Sequence, residues 1–158
     1  MLKVNIGSGL VRLRDGYINV DRDIFASPDV LGDALQLPFA NIDRLLMSHL
    51  IEHFSDNQVI TKLIPEVWRA LAINGEWECI APIANSFGAV QDPDHRSQWV
   101  PQKFLYFTSH FDDILNRPDY EQRFQLTYWE YNTAEVKVKL RKTAEKEPCK
   151  CPLCLQFS

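Results

Sequence analysis

The sequence predicts an α/β fold: a mostly parallel sheet ending in an antiparallel hairpin, with the helix layer reduced on one face. Three observations predict it. Short strand-like segments recur through the first half and leave on a glycine, an acid or a histidine. One strongly amphipathic helix separates the fourth segment from the fifth, and two long alternating segments follow, joined only through Asn132-Thr133.

Residues 2–6, "LKVNI", alternate apolar and polar and suit a strand that Gly7 and Gly9 stop. Residues 17–21, 29–34 and 44–49 supply the second, third and fourth strands. From Asp56 to Ala72, Val59, Ile60, Leu63, Ile64, Val67, Trp68 and Leu71 recur at helical spacing. Ser55 with Gln58 makes a capping box, Pro65 should kink the helix, and Asn74-Gly75 should end it. "EWECIAP", 76–82, is the fifth strand, and a polar loop runs on to Pro101. Residues 101–115 read as a helix with Phe104, Leu105, Phe107, Phe111, Ile114 and Leu115 inward. Residues 123–131 and 134–142 form the terminal hairpin. A domain over 1–143 and a polar, cysteine-containing tail over 144–158 are expected.

The formal net charge of -4 disfavours a nucleic-acid partner, which needs a basic surface. No apolar run approaches the roughly 20 residues of a membrane span, and no leader precedes the first strand. A cytoplasmic protein is expected. The cysteines do not form a secreted disulfide framework. Cys149, Cys151 and Cys154 resemble zinc spacing but lack a fourth ligand, so no metal site is assigned. Cys79 should lie in the core.

A glycine turn leaving a strand lets backbone N–H groups approach a ligand, and an acid ending the next strand can accept both hydroxyls of a ribose. "VNIGSG", "INVD", "GDALQLPF", "LLMSHLIEHF" and "ALAINGEWECIAP" follow one another in that arrangement. Together they resemble the class I S-adenosylmethionine-dependent methyltransferases, in particular a small generic branch, over residues 2–141. The resemblance implies a Rossmann-like sheet and S-adenosylmethionine as cofactor. It implies that Asn5, Gly7, Ser8 and Gly9 face the methionine part, that Asp21 holds the ribose, and that Asp33, Ala34 and Leu35 lie by the adenine. His49 would sit near the sulfonium. The family's usual acid two residues before the first glycine is here Asn5, and Val11 stands for a third glycine.

Length departs further. Only residues 7–16 and 22–28 connect the first three strands, less than the dozen or so residues of an ordinary parallel crossover. The strands also alternate apolar with polar rather than running apolar throughout, as in a sheet buried on both faces. One face should therefore be solvated or paired with a second copy in a homodimer. The basic stripe Lys137, Lys139, Arg141 and Lys142 is either that solvated face or a contact for an anionic substrate.

His49 and His95 are the candidate catalytic residues. His49 acts as base or pocket wall, or merely caps the following turn. Glu52 and His53 follow on the same turn, His53 with a structural role. "QDPDHRSQWVP", 91–101, resembles a lid over the acceptor in this branch, with Asp92, His95, Arg96 and Trp99 facing the substrate. The same residues also read as a turn at Asp92-Pro93 pinned by His95. The expected function is methyl transfer to a small-molecule or glycan-type acceptor. The alternatives are a non-catalytic relative that binds the cofactor or acts as a scaffold and, more remotely, a dinucleotide-dependent oxidoreductase.

Overall fold

Seven strands make one sheet: β1 (Lys3–Ile6), β2 (Tyr17–Asp21), β3 (Val30–Leu31), β4 (Ile42–Ser48), β5 (Leu71–Pro82), β6 (Phe124–Tyr131) and β7 (Glu135–Lys142). Their order is β3-β2-β1-β4-β5-β7-β6. The first five run parallel, and β7 enters antiparallel between β5 and β6. The computed structural model describes residues 1–111 and 122–144. Ile114, Leu115, the Phe111 side chain and Cys149, Cys151 and Cys154 lie outside what it describes.

Strand alternation sorts the side chains. Val4, Ile6, Val20, Leu45, Met47, Trp77, Cys79, Val136, Val138 and Leu140 are buried on one face beneath the helical segments. That layer is one continuous helical run, α1 (Asp56–Gln58), a π turn (Val59–Leu63) and α2 (Ile64–Ala70). Val59, Leu63, Ile64, Val67 and Ala70 are fully inward, as the spacing predicts. The Ser55–Gln58 capping box is present. Pro65 is accommodated by widening the turn before it. Proline lacks the N–H for the usual bond and crowds the carbonyl four residues back, and here the Ile64 N–H reaches back to Val59 O.

Two element boundaries differ from expectation. The helix ends at Ala70, not at Asn74-Gly75, because Leu71 already turns extended and pairs with Ile42. Asn74 (φ 66°) and Gly75 instead turn within a bulged β5, where a Cβ on Gly75 would meet Ile42 O at 2.5 Å. The helix expected over 101–115 is a short α4 (Pro101–Phe104) followed by 3-10 turns at Leu105–Phe107 and Ser109–Phe111. Thr108 turns extended between them and its hydroxyl donates to Leu105 O. Phe104, Leu105 and Phe107 are buried all the same. The loop before it holds a four-residue α3 (Phe87–Val90) capped by Ser86, too short to show in the sequence.

On the opposite face Asn5, Leu46, Glu78 and Lys139 lie in register across four strands, as do Lys3, Arg44, Glu76 and Arg141. Lys137 and Lys139 pair with Glu78 at 3.0 and 3.3 Å. No described helix covers this face at β1 and β2. The segment 10–16 lies there instead, held by Asn19. The Asn19 amide donates to Leu13 O and Asp29, and its Oδ1 accepts from Leu13 N and from Asn5 Nδ2.

Candidate functional site

The order β2-β1-β4 places β1 where the chain runs off to opposite sides, so a crevice opens beyond the strands' carboxyl ends. A cavity of about 450 Å³ occupies it, a size typical of small-ligand sites. Its walls include Gly7 from the exit of β1, Asp21 from β2, Asp33, Ala34 and Leu35 after β3, and His49, Leu50 and His53 after β4.

Gly7 sits at φ 66°, and a Cβ there would stand 2.7 Å from the Leu50 side chain. The positive φ favours glycine there, and a larger residue would also push the Leu50 side chain aside. Its N–H groups are turned toward β2: Gly7 N and Ser8 N donate to Val20 O, and Gly9 N donates to Asp21 Oδ2 at 2.8 Å. Asp21 Oδ1 accepts from Asp23 N. The carboxylate is thereby fixed at the cavity wall, and each oxygen keeps a lone pair for a ligand hydroxyl. Ser8 Oγ is buried without a hydrogen-bond partner. Asp33 caps its own turn by accepting from Leu35 N. That loop is clamped from the helix: Glu66 accepts from Leu37 N, and Arg69 donates to Leu37 O, Phe39 O and Glu66.

His49 turns the chain at φ 52° while its N–H donates to Ile80 O. Its ring lies on the wall between this cleft and a second cavity of about 330 Å³, as does His53. Nε2 is 2.8 Å from Glu135 and Nδ1 is 3.6 Å from Glu52. The Glu52 carboxylate raises the His49 pKa above its ordinary value, burial opposes it, and Glu135 adds to the rise. The Glu52 backbone carbonyl accepts from Arg96 N and Ser97 N, which fastens the 91–101 loop over the turn.

That loop divides its residues. Asp92 and His95 line the second cavity, and Asp94 and Arg96 line the cleft. Asp92 also caps the Asp92-Pro93 turn, accepting from Asp94 N, and His95 Nδ1 contacts Ala89 O at 3.3 Å. The turn read from the sequence at Asp92-Pro93 is therefore present. Two expectations are corrected. Trp99 does not face a substrate: it is fully buried against Phe104, and its Nε1–H donates to Ser97. Asn5 does not face the cleft: one position before Ile6 on an alternating strand, it points to the opposite face and Asn19. Glu52 is the residue the sequence reading undervalued; an acid flanked by His49 and His53 was the available signal.

No protein-family model matches the sequence, and no curated protein matches it. Solved structures do. The chain is 14% identical to a methyltransferase from Archaeoglobus fulgidus, with a TM-score of 0.64 over 89% of this chain and 86% of that one. This is the fold of the S-adenosylmethionine-dependent methyltransferases. The geranyl diphosphate C-methyltransferase of Streptomyces coelicolor, crystallised with S-adenosyl-L-homocysteine, is 10% identical with a TM-score of 0.62 over 90% of this chain and 71% of that one. The cyclase SpnF is 12% identical with a TM-score of 0.63, over 90% and 74%. At such identities the methyltransferase fold is what is shared. The residues present nonetheless fit the cofactor: a glycine turn at positive φ and an oriented Asp21 border one cavity, although Ser8 and Gly9 do not line it.

Proposed function

We propose that the protein is an S-adenosylmethionine-dependent methyltransferase acting on a small-molecule or glycan-type acceptor. One observation carries the reading: in a sheet of this strand order, Asp21 is held by two backbone amides at the mouth of a ligand-sized cleft that begins at Gly7. When bound, the cofactor supplies a methyl group on a sulfonium sulfur. Asp21 would accept the ribose hydroxyls, while Asp33, Ala34 and Leu35 border the adenine. With Asn5 turned away, Asp94 and Arg96 offer the acid and the cation that an α-amino acid end requires.

The second cavity receives the acceptor, with Asp92 and His95 at its wall. His49, shared by both cavities, is placed to take a proton from the acceptor. Alignment across that shared wall supplies most of the acceleration. The ion-paired open face supports a solvated surface rather than a seam between two copies. Among the described residues no helix is long and apolar enough to cross a membrane, and a cytoplasmic location is part of the proposal.

The test is thermal melting with S-adenosylmethionine and S-adenosylhomocysteine. Both are expected to raise the melting temperature, and Asp21→Ala to abolish the rise. No shift with either ligand overturns the reading. A shift without turnover over a panel of acceptors instead selects the non-catalytic alternative.

A further inference from the structure

The second cavity holds a group that the methyl-transfer reading leaves unexplained. Glu52 is only 2% exposed, and among the described residues neither carboxylate oxygen has a hydrogen-bond partner. An ionised carboxylate so placed is costly unless a cation or donors meet it. The groups facing it are imidazoles. His49 Nδ1 stands 3.6 Å from Oε1 and His95 Nε2 4.0 Å from it. His53 packs edge-on against His95 with ring centroids 4.8 Å apart.

We propose that Glu52, His53 and His95 form a binding site for one divalent first-row transition ion, Zn2+, Mn2+ or Fe2+ in type. One ligand atom from each lies within 4.8 Å of the others. A tetrahedral ion with bonds of about 2.1 Å sets its donors about 3.4 Å apart, so side-chain rotations that close the widest pair by at most about 1.4 Å complete the set. The tautomer is prepared as well. His95 Nδ1–H donates to Ala89 O at 3.3 Å, which leaves the Nε2 lone pair turned to Glu52. Asp92 Oδ2, 3.7 Å from that nitrogen, is the nearest further oxygen. Two imidazoles with one carboxylate favour such ions over Mg2+ or Ca2+, which prefer oxygen throughout. Open positions face the second cavity, so the ion would take an oxygen donor, hydroxyl or carboxylate, from whatever enters it. The competing arrangement is ion-free: Glu52 serves only as a counter-charge to His49 and His95.

The metal-stripped full-length protein is titrated calorimetrically with Zn2+, Co2+ and Mg2+ in the absence of S-adenosylmethionine, so failure of the cofactor reading leaves this result intact. One Zn2+ or Co2+ per chain is expected, with much weaker Mg2+ binding. Glu52→Gln and His95→Gln, checked for folding by circular dichroism, each remove a direct ligand and should weaken it by more than the roughly 10–100-fold that loss of an outer-shell partner costs. A Cys149→Ser/Cys151→Ser/Cys154→Ser variant should bind as the wild type does, and bound Co2+ should lack thiolate absorption. No stoichiometric ion, binding that follows the cysteines, or binding unchanged in both folded glutamine variants overturns the proposal.

Discussion

Asn19 shows how one side chain can hold a covering segment in place. Its amide carries four hydrogen bonds, to Asn5, Asp29 and twice to Leu13, and so fixes the segment 10–16 over strands that no described helix covers. Asn19→Ala leaves the buried Asn5 amide and the Leu13 backbone unpaired. A loss of roughly 1–3 kcal/mol is expected by equilibrium urea unfolding, together with faster hydrogen exchange at Leu13. A loss under about 0.5 kcal/mol, the size of a neutral surface change, would mean that water replaces these bonds without cost.

The clamp between α2 and the loop after β3 belongs to the element scale. Arg69, with the Leu37 backbone N–H, holds the Glu66 carboxyl below the ordinary carboxylate range, against some desolvation. Because the folded-state pKa is depressed, this interaction contributes stability above the unfolded value of about 4.3 and loses it as pH falls through the folded value. Glu66→Gln should therefore be less stable than the wild type at pH 7, with the gap narrowing below about pH 4 in urea titrations. A gap independent of pH would assign the clamp to shape alone. Since the loop carries Asp33 and Leu35, the clamp ties the helix layer to one wall of the cleft.

Across the whole molecule, the open face decides association. An apolar seam favours a dimer, whereas Glu76, Glu78, Lys137 and Lys139 pair within one chain across β5 and β7. Light scattering at micromolar concentration is expected to give the monomer mass of 18.3 kDa. Twice that mass would restore pairing with a second copy.

The strands themselves, the helix face and the terminal hairpin were legible in the sequence because each rests on a local period: two residues in β7, three to four along the run from Val59 to Val67. The acid at 21 and the glycine at 7 were legible for a similar reason, since both stand where a strand must end. Local pattern could not say which polar residues meet a ligand. Asn5 and Trp99 were misassigned because burial of either is equally consistent with a cleft, a covering loop or the core. Only tertiary structure brought His95, more than forty positions on, beside Glu52, because the bond between loop and turn is made by backbone groups that carry no sequence signature. Periodicity specifies which side of an element is inward; the partners that meet there are chosen by long-range packing.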